Sequence, residues 1–122
     1  MMRNFFMVGL GSCLGGVLRY ALSLTLQMFH ATFPLATFVV NFVGCFLIGL
    51  FGALVVKYQL PEYVALLLTV GLCGGFTTFS TFSKENMHLL YGGQYFIFAT
   101  YTISSIVLGI IAVLVGMKMI NH

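Results

Sequence analysis

The chain has 122 residues, 61% of them hydrophobic and 6% charged, with a formal net charge of +3. A soluble domain carries about 25% charged residues, so this surface must face lipid or another subunit. The five basic residues form no Lys/Arg cluster of the kind that grips nucleic acid, which excludes that class of partner. At about 20 residues per spanning helix, four spans with short connections use up residues 1–122. The reading is one all-α transmembrane domain with no room for a soluble catalytic one.

The first span runs from about Asn4 to Met28. Arg3 followed by an apolar run superficially suits a signal peptide. The run is too long and too Gly-rich, contains Arg19, and has no small-x-small cleavage site before a soluble domain. Glycines 9, 11, 15 and 16 thin one face for close helix contact. A loop from Phe29 to Pro34 follows, and Pro34 suits a helix start because the first turn has no use for its missing N–H. Span two runs from about Leu35 to Lys57, with Gly44, Gly49 and Gly52 as small packing residues. After Gln59–Glu62, span three opens on Pro61 and Glu62, an acidic residue favoured by the helix dipole. Val64 to Leu72 is apolar, and then comes Cys73-Gly74-Gly75-Phe76-Thr77-Thr78-Phe79-Ser80-Thr81-Phe82-Ser83. Two glycines before a hydroxyl-rich stretch predict a helix break at membrane depth, with the helix resuming through Tyr91. Gly92-Gly93 turns the chain into span four, about Gln94 to Met119.

Arg3, Lys57 and Lys118 fall on one side of the membrane, with Arg19 and Lys84 nearer the other. Three against two is a weak positive-inside bias. It permits insertion in both orientations and therefore an antiparallel homodimer.

Polar groups in hydrocarbon are costly and usually have a purpose. Irregular backbone at membrane depth is tolerated only where it is buried in protein or lines a wet cavity. Carbonyls freed by a break can coordinate a cation, or the Gly pair is a plain kink whose hydroxyls satisfy their own backbone. Phe79 and Phe82 are three apart and share a helix face. They are either ordinary core or lipid-facing rings, or rings whose electropositive edges join hydroxyl donors in replacing part of an anion's hydration. Weak sites of that kind suit conduction. Asn41 is either a helix–helix hydrogen-bonding residue or a pore-facing amide. Tyr101 and Ser105, four apart, form either a donor stripe or part of a crowded interface. Arg19 either snorkels to the interface or gives an anion vestibule its positive field. Glu85 beside Lys84 reads as a solvated rim pair. Cys13, Cys45 and Cys73 lie in apolar runs without metal or redox spacing and read as small buried hydrophobes. His30, His88 and His122 have no metal-ligand pattern.

Three segments resemble the Fluc/CrcB family of fluoride channels: Gly15-Gly16-Val17-Leu18-Arg19-Tyr20, Thr37-Phe38-Val39-Val40-Asn41-Phe42-Val43-Gly44, and Gly71 to Ser83. The third is the most specific, and with length and span number the resemblance covers the whole chain. Phe38 and Phe76 stand where that family often has other apolar residues. The resemblance implies a passive fluoride-selective channel in the cell inner membrane that exports cytoplasmic fluoride, and no enzyme. It implies a dual-topology antiparallel homodimer with two pores. Phe79 and Phe82 would line the pore, with Asn41 as a pore amide. Thr37, Ser80, Thr81, Tyr101 and Ser105 would form the polar lining or its support, and Arg19 would sit by an aqueous vestibule. A structural Na⁺ at the dimer interface would be held by the backbone carbonyls of Gly74 and Thr77.

Two other readings compete. A small proton-coupled multidrug exporter also has four spans and dual topology, but it needs a membrane-embedded carboxylate. The acidic residues here, Glu62 and Glu85, fall near predicted span ends. A non-conducting packing subunit of a larger complex would support no ion flux alone.

Overall fold

A computed structural model describes residues 1–28 and 33–121; positions 29–32 of the first loop, His30 among them, and His122 lie outside the described residues. Four helical stretches are long and apolar enough to cross a membrane: Met2–Leu26, Leu35–Lys57, Glu62–Tyr91 and Tyr95–Asn121. The protein is a multi-pass membrane protein. α1 is Met2–Leu26 and α2 is Leu35–Lys57. The third stretch is composite. It comprises α3 (Glu62–Ala65), π-helical turns over Leu66–Cys73, α4 (Gly74–Phe76) and α5 (Phe79–Tyr91). α6 is Tyr95–Asn121.

Glycine decides which helices pair. A Cβ on Gly11 would meet the backbone of Leu67, Gly71 and Leu72, and one on Gly15 the backbone of Leu72, Gly75 and Phe76. α1 therefore lies backbone to backbone along the π-helical turns and α4. The same device joins α2 to α6, where Gly49 faces the carbonyl of Val113 and Gly116 faces the backbone of Phe46 and Leu50. With lipid outside, no hydrophobic drive pulls helices together, and such small-residue seams supply the close contact that does. The thin face expected on α1 is narrower than four glycines, because Gly9 and Gly16 have nothing within 4 Å of a Cβ.

The helix ends are also tied. Gln59 takes a left-handed φ of +50° after α2, and the Leu60 N–H reaches back to the Val55 carbonyl at 3.0 Å. Gly93 does the same after α5 at φ +73°, with the Gln94 N–H on the Leu89 carbonyl at 2.8 Å. Both are Schellman-type closures. Lys57 Nζ donates to the Ile120 carbonyl at 3.0 Å, and the Arg3 guanidinium stands 4.2 Å from the Tyr63 ring centre. These contacts gather Arg3, Lys57 and the end of α6 at one pole of the bundle, where Lys and Arg suit a membrane–water interface.

In the π-helical turns the Thr69 hydroxyl donates to the Ala65 carbonyl at 2.7 Å. A hydroxyl that takes an i−4 carbonyl perturbs the ordinary helical ladder and bends the helix. The turns lead directly into the glycine pair and the candidate site.

Candidate functional site

Helical geometry stops at Phe76. Thr77 (φ −85°, ψ 160°) and Thr78 (φ −148°, ψ 121°) are extended, and the helix restarts at Phe79. Two extended residues strip several backbone groups of their helical partners, and buried polar backbone must find others.

The replacements come from side chains. Asn41, on α2, grips Thr78 at two points: the Thr78 N–H donates to Oδ1 at 2.8 Å, and Nδ2 donates to the Thr78 carbonyl at 3.0 Å. The Thr78 hydroxyl caps α5 by accepting from the Thr81 N–H at 3.2 Å, and it donates to the Thr81 hydroxyl at 3.0 Å. Ser80 Oγ lies 3.4 Å from the same oxygen. On the other side, Arg19 Nε donates to the Gly75 carbonyl at 3.1 Å. The Thr77 N–H and hydroxyl both donate to the Cys73 carbonyl at 3.0 Å.

The carbonyls of Gly74 and Thr77 are among those this arrangement leaves over. In a continuous helix the Gly74 carbonyl would receive the Thr78 N–H, and the Thr77 carbonyl would receive the Thr81 N–H. Both donors are held elsewhere, by Asn41 and by the Thr78 hydroxyl. Carbonyl oxygens released from a helix in this way are the hard donors that alkali and alkaline-earth cations take.

Beside the junction lies a groove of about 590 Å³. Of the residues singled out by sequence, it gathers Asn41, Gly74, Thr77, Phe79, Phe82 and Ser105. The Phe79 and Phe82 rings are 5.9 Å apart and tilted by 39°. Phe79 is 78% exposed, so this wall of the groove stands uncovered. The Ser105 hydroxyl is buried and has no partner among the described residues.

Thr37 and Tyr101 do not line this groove. They meet Glu85 instead: the Thr37 hydroxyl donates to Oε2 and the Tyr101 hydroxyl to Oε1, each at 2.8 Å. Tyr101 is fully buried, and its ring stands 5.0 Å from Phe82 and 5.3 Å edge-on from Phe33. The cluster thus abuts the groove through Phe82. Glu85 is not a rim residue paired with Lys84. Successive helix residues point about 100° apart, so Lys84 is exposed while Glu85 turns inward. The sequence held the signal for this, since Glu85 follows Phe82 by three and shares its face. The capping role of Thr78 was legible in the same way, as a hydroxyl residue just ahead of a helical run.

Of the cysteines, Cys73 is buried, Cys45 is half-buried and Cys13 is exposed. No cluster of three or more His, Cys, Asp or Glu residues suited to a metal is found among the described residues.

Residues 6–117 match the family model described as CrcB-like protein, Camphor Resistance (CrcB). The chain is 47% identical over 119 residues to a protein of Phocaeicola vulgatus named "Fluoride-specific ion channel FluC", covering 97% of this chain and 98% of that one. A protein of the same name from Flavobacterium psychrophilum is 45% identical over 118 residues, 95% of each chain. One from Bacteroides fragilis is 42% identical over 119 residues, 94% of each. With the family model covering nearly the whole length and relatives this similar from end to end, the chain belongs to the CrcB family.

Proposed function

We propose that the chain is a passive fluoride-selective channel of the plasma membrane, not an enzyme, and that it lets cytoplasmic fluoride leave the cell. The observation that carries the reading is the groove that brings Phe79, Phe82, Asn41 and Ser105 together beside an interrupted helix. Aromatic edges are electropositive, and an amide N–H and a hydroxyl are neutral donors. Such a wall replaces hydration around a small anion without the fixed cation that would hold it too tightly. The first turn of α5 adds N–H groups at a helix N-terminus, which favour negative charge. The relatives named as fluoride-specific channels support fluoride as the anion. A negative cell interior drives an anion outward by about 2.3 kcal/mol per 100 mV, so no energy source is required.

The functional unit is an antiparallel, dual-topology homodimer with two pores, and the Thr77–Thr78 interruption lies at mid-membrane. The 78% exposure of Phe79 in a single protomer supports a partner that covers the groove. The Gly74 and Thr77 carbonyls of both protomers hold a structural Na⁺, which would neutralise converging carbonyl dipoles and tie the copies together. Their release from the helix by Asn41 and by the Thr78 hydroxyl fits that role. Thr37, Ser80, Thr81 and Tyr101 support the wall, and Arg19 stands behind it on α1.

Efflux from liposomes holding the purified protein, read with a fluoride electrode and repeated with chloride, tests this function. Rapid fluoride release without chloride release is expected. Release of neither ion by folded protein would end the channel reading.

One observation favours the exporter reading. Glu85 is half-buried against α2 and α6, so the chain does hold an inward-facing carboxylate. Proton-driven accumulation of a fluorescent cation in vesicles, abolished by Glu85→Gln, would establish that reading in place of the channel.

A further inference from the structure

We infer that Arg19 is the positioning residue of the interrupted third span, acting through the Gly75 carbonyl rather than as a free positive charge toward an anion. The inference rests on the proposed function for its consequence on ion flow, but not for the contact itself.

The placement follows from helix periodicity. Gly11, Gly15 and Arg19 are spaced by four and lie on one stripe of α1. The first two carry the backbone seam with the π-helical turns and α4. A Cβ on Gly75 would in turn meet the backbone of Ser12, so Gly75 is pressed against α1. Arg19 is the next position on the stripe and falls where α4 ends. Its Nε reaches the Gly75 carbonyl at 3.1 Å across 56 residues of sequence.

That carbonyl needs a partner. A continuous helix would give it the Phe79 N–H, but Thr77 and Thr78 are extended. The guanidinium supplies the donor and also sets a positive charge at a helix C-terminus, where the dipole favours one. The neighbouring carbonyls are treated differently. Cys73 O is taken by Thr77, while Gly74 O loses its helical donor to Asn41. Arg19 therefore fixes the peptide plane next to the one whose oxygen is released. A planar donor close to the chain can do this, whereas a lysine ammonium on a flexible stem reproduces the charge but not the fork.

The test compares wild type, Arg19→Lys and Arg19→Met. The first reading is amide hydrogen exchange over Phe76–Thr81 against the rest of the chain. The second is the Na⁺ concentration that half-activates fluoride efflux. A charge-assisted hydrogen bond of ordinary strength is equivalent to about tenfold or more in an equilibrium. Both variants are expected to exchange about tenfold faster over Phe76–Thr81 alone and to need about tenfold more Na⁺. Arg19→Lys matching wild type in both readings would overturn the inference and leave Arg19 as a charge only. So would faster exchange throughout the chain in Arg19→Lys. Wild-type protein without fluoride efflux or Na⁺ dependence would remove the proposed function. In that event the exchange reading still decides whether Arg19 holds the junction. Should Arg19→Met fail to fold, Arg19→Lys decides alone.

Discussion

The Glu62–Phe76 segment and the Thr77–Thr78 junction that follows it satisfy their backbones in opposite ways. Along the segment, glycines remove side chains so that helix backbones touch, and up to Cys73 the backbone polar groups stay inside their own helix. At the junction the helix lets go of its polar groups, and side chains from α1 and α2 and the hydroxyl of Thr78 itself take them up. The seam makes a rigid wall. The junction, anchored to that wall through Gly75, exposes chosen carbonyls and two phenyl rings. A site that handles an ion without a fixed charge needs both, since free backbone dipoles stay in place only if something stiff holds them.

The seam predicts the largest effects. Gly15→Val or Gly116→Val would drive a side chain into facing backbone. The cost is about 3 kcal/mol, enough to remove the folded peak in size-exclusion chromatography. Gly16→Ala, with open space around its Cβ, should run as wild type. Equal damage from Gly16→Ala would break the claim that only one face of α1 is a seam.

At the junction, Asn41→Ala leaves two Thr78 backbone groups without partners. The expected loss is about 2 kcal/mol, read as a lower thermal midpoint together with lost fluoride flux. Flux lost with no change in midpoint would show that the Asn41 amide serves the anion and not the backbone. Next in size is Tyr101→Phe, which removes one donor from Glu85. It should lower stability by about 1 kcal/mol and leave the seam untouched in amide exchange. The smallest effect lies outside both regions. Gln59 sits at φ +50°, so Gln59→Gly should raise stability by about 0.5–1 kcal/mol, seen as a small upward shift in melting.

Much of the fold was legible because composition leaves so few options. The bounds of α2, the turn at Gly92-Gly93 and the start of the third span at Glu62 follow from Pro, Gly and charge at the helix ends. The π-helical turns were not legible, since Leu66–Cys73 is nearly all apolar and carries no face by which to read its pitch. Nor could sequence separate Gly11 and Gly15 from Gly9 and Gly16, because a seam is defined by its partner. Within the site, spacing linked Phe79 to Phe82, but adjacency misled at Lys84-Glu85, where sequence neighbours face apart. The grip of Asn41 on Thr78 spans 37 residues and has no local signature.

The most direct test of the account is fluoride efflux from liposomes by wild type, Phe79→Ile and Phe82→Ile, each first shown to elute as the wild-type assembly. Isoleucine keeps the bulk and loses the ring edge. The account predicts that flux falls at least about tenfold in both variants with assembly intact, the equivalent of about 1.4 kcal/mol in a barrier. Wild-type flux in both variants would contradict it, because the phenyl edges would then have no part in passing the ion.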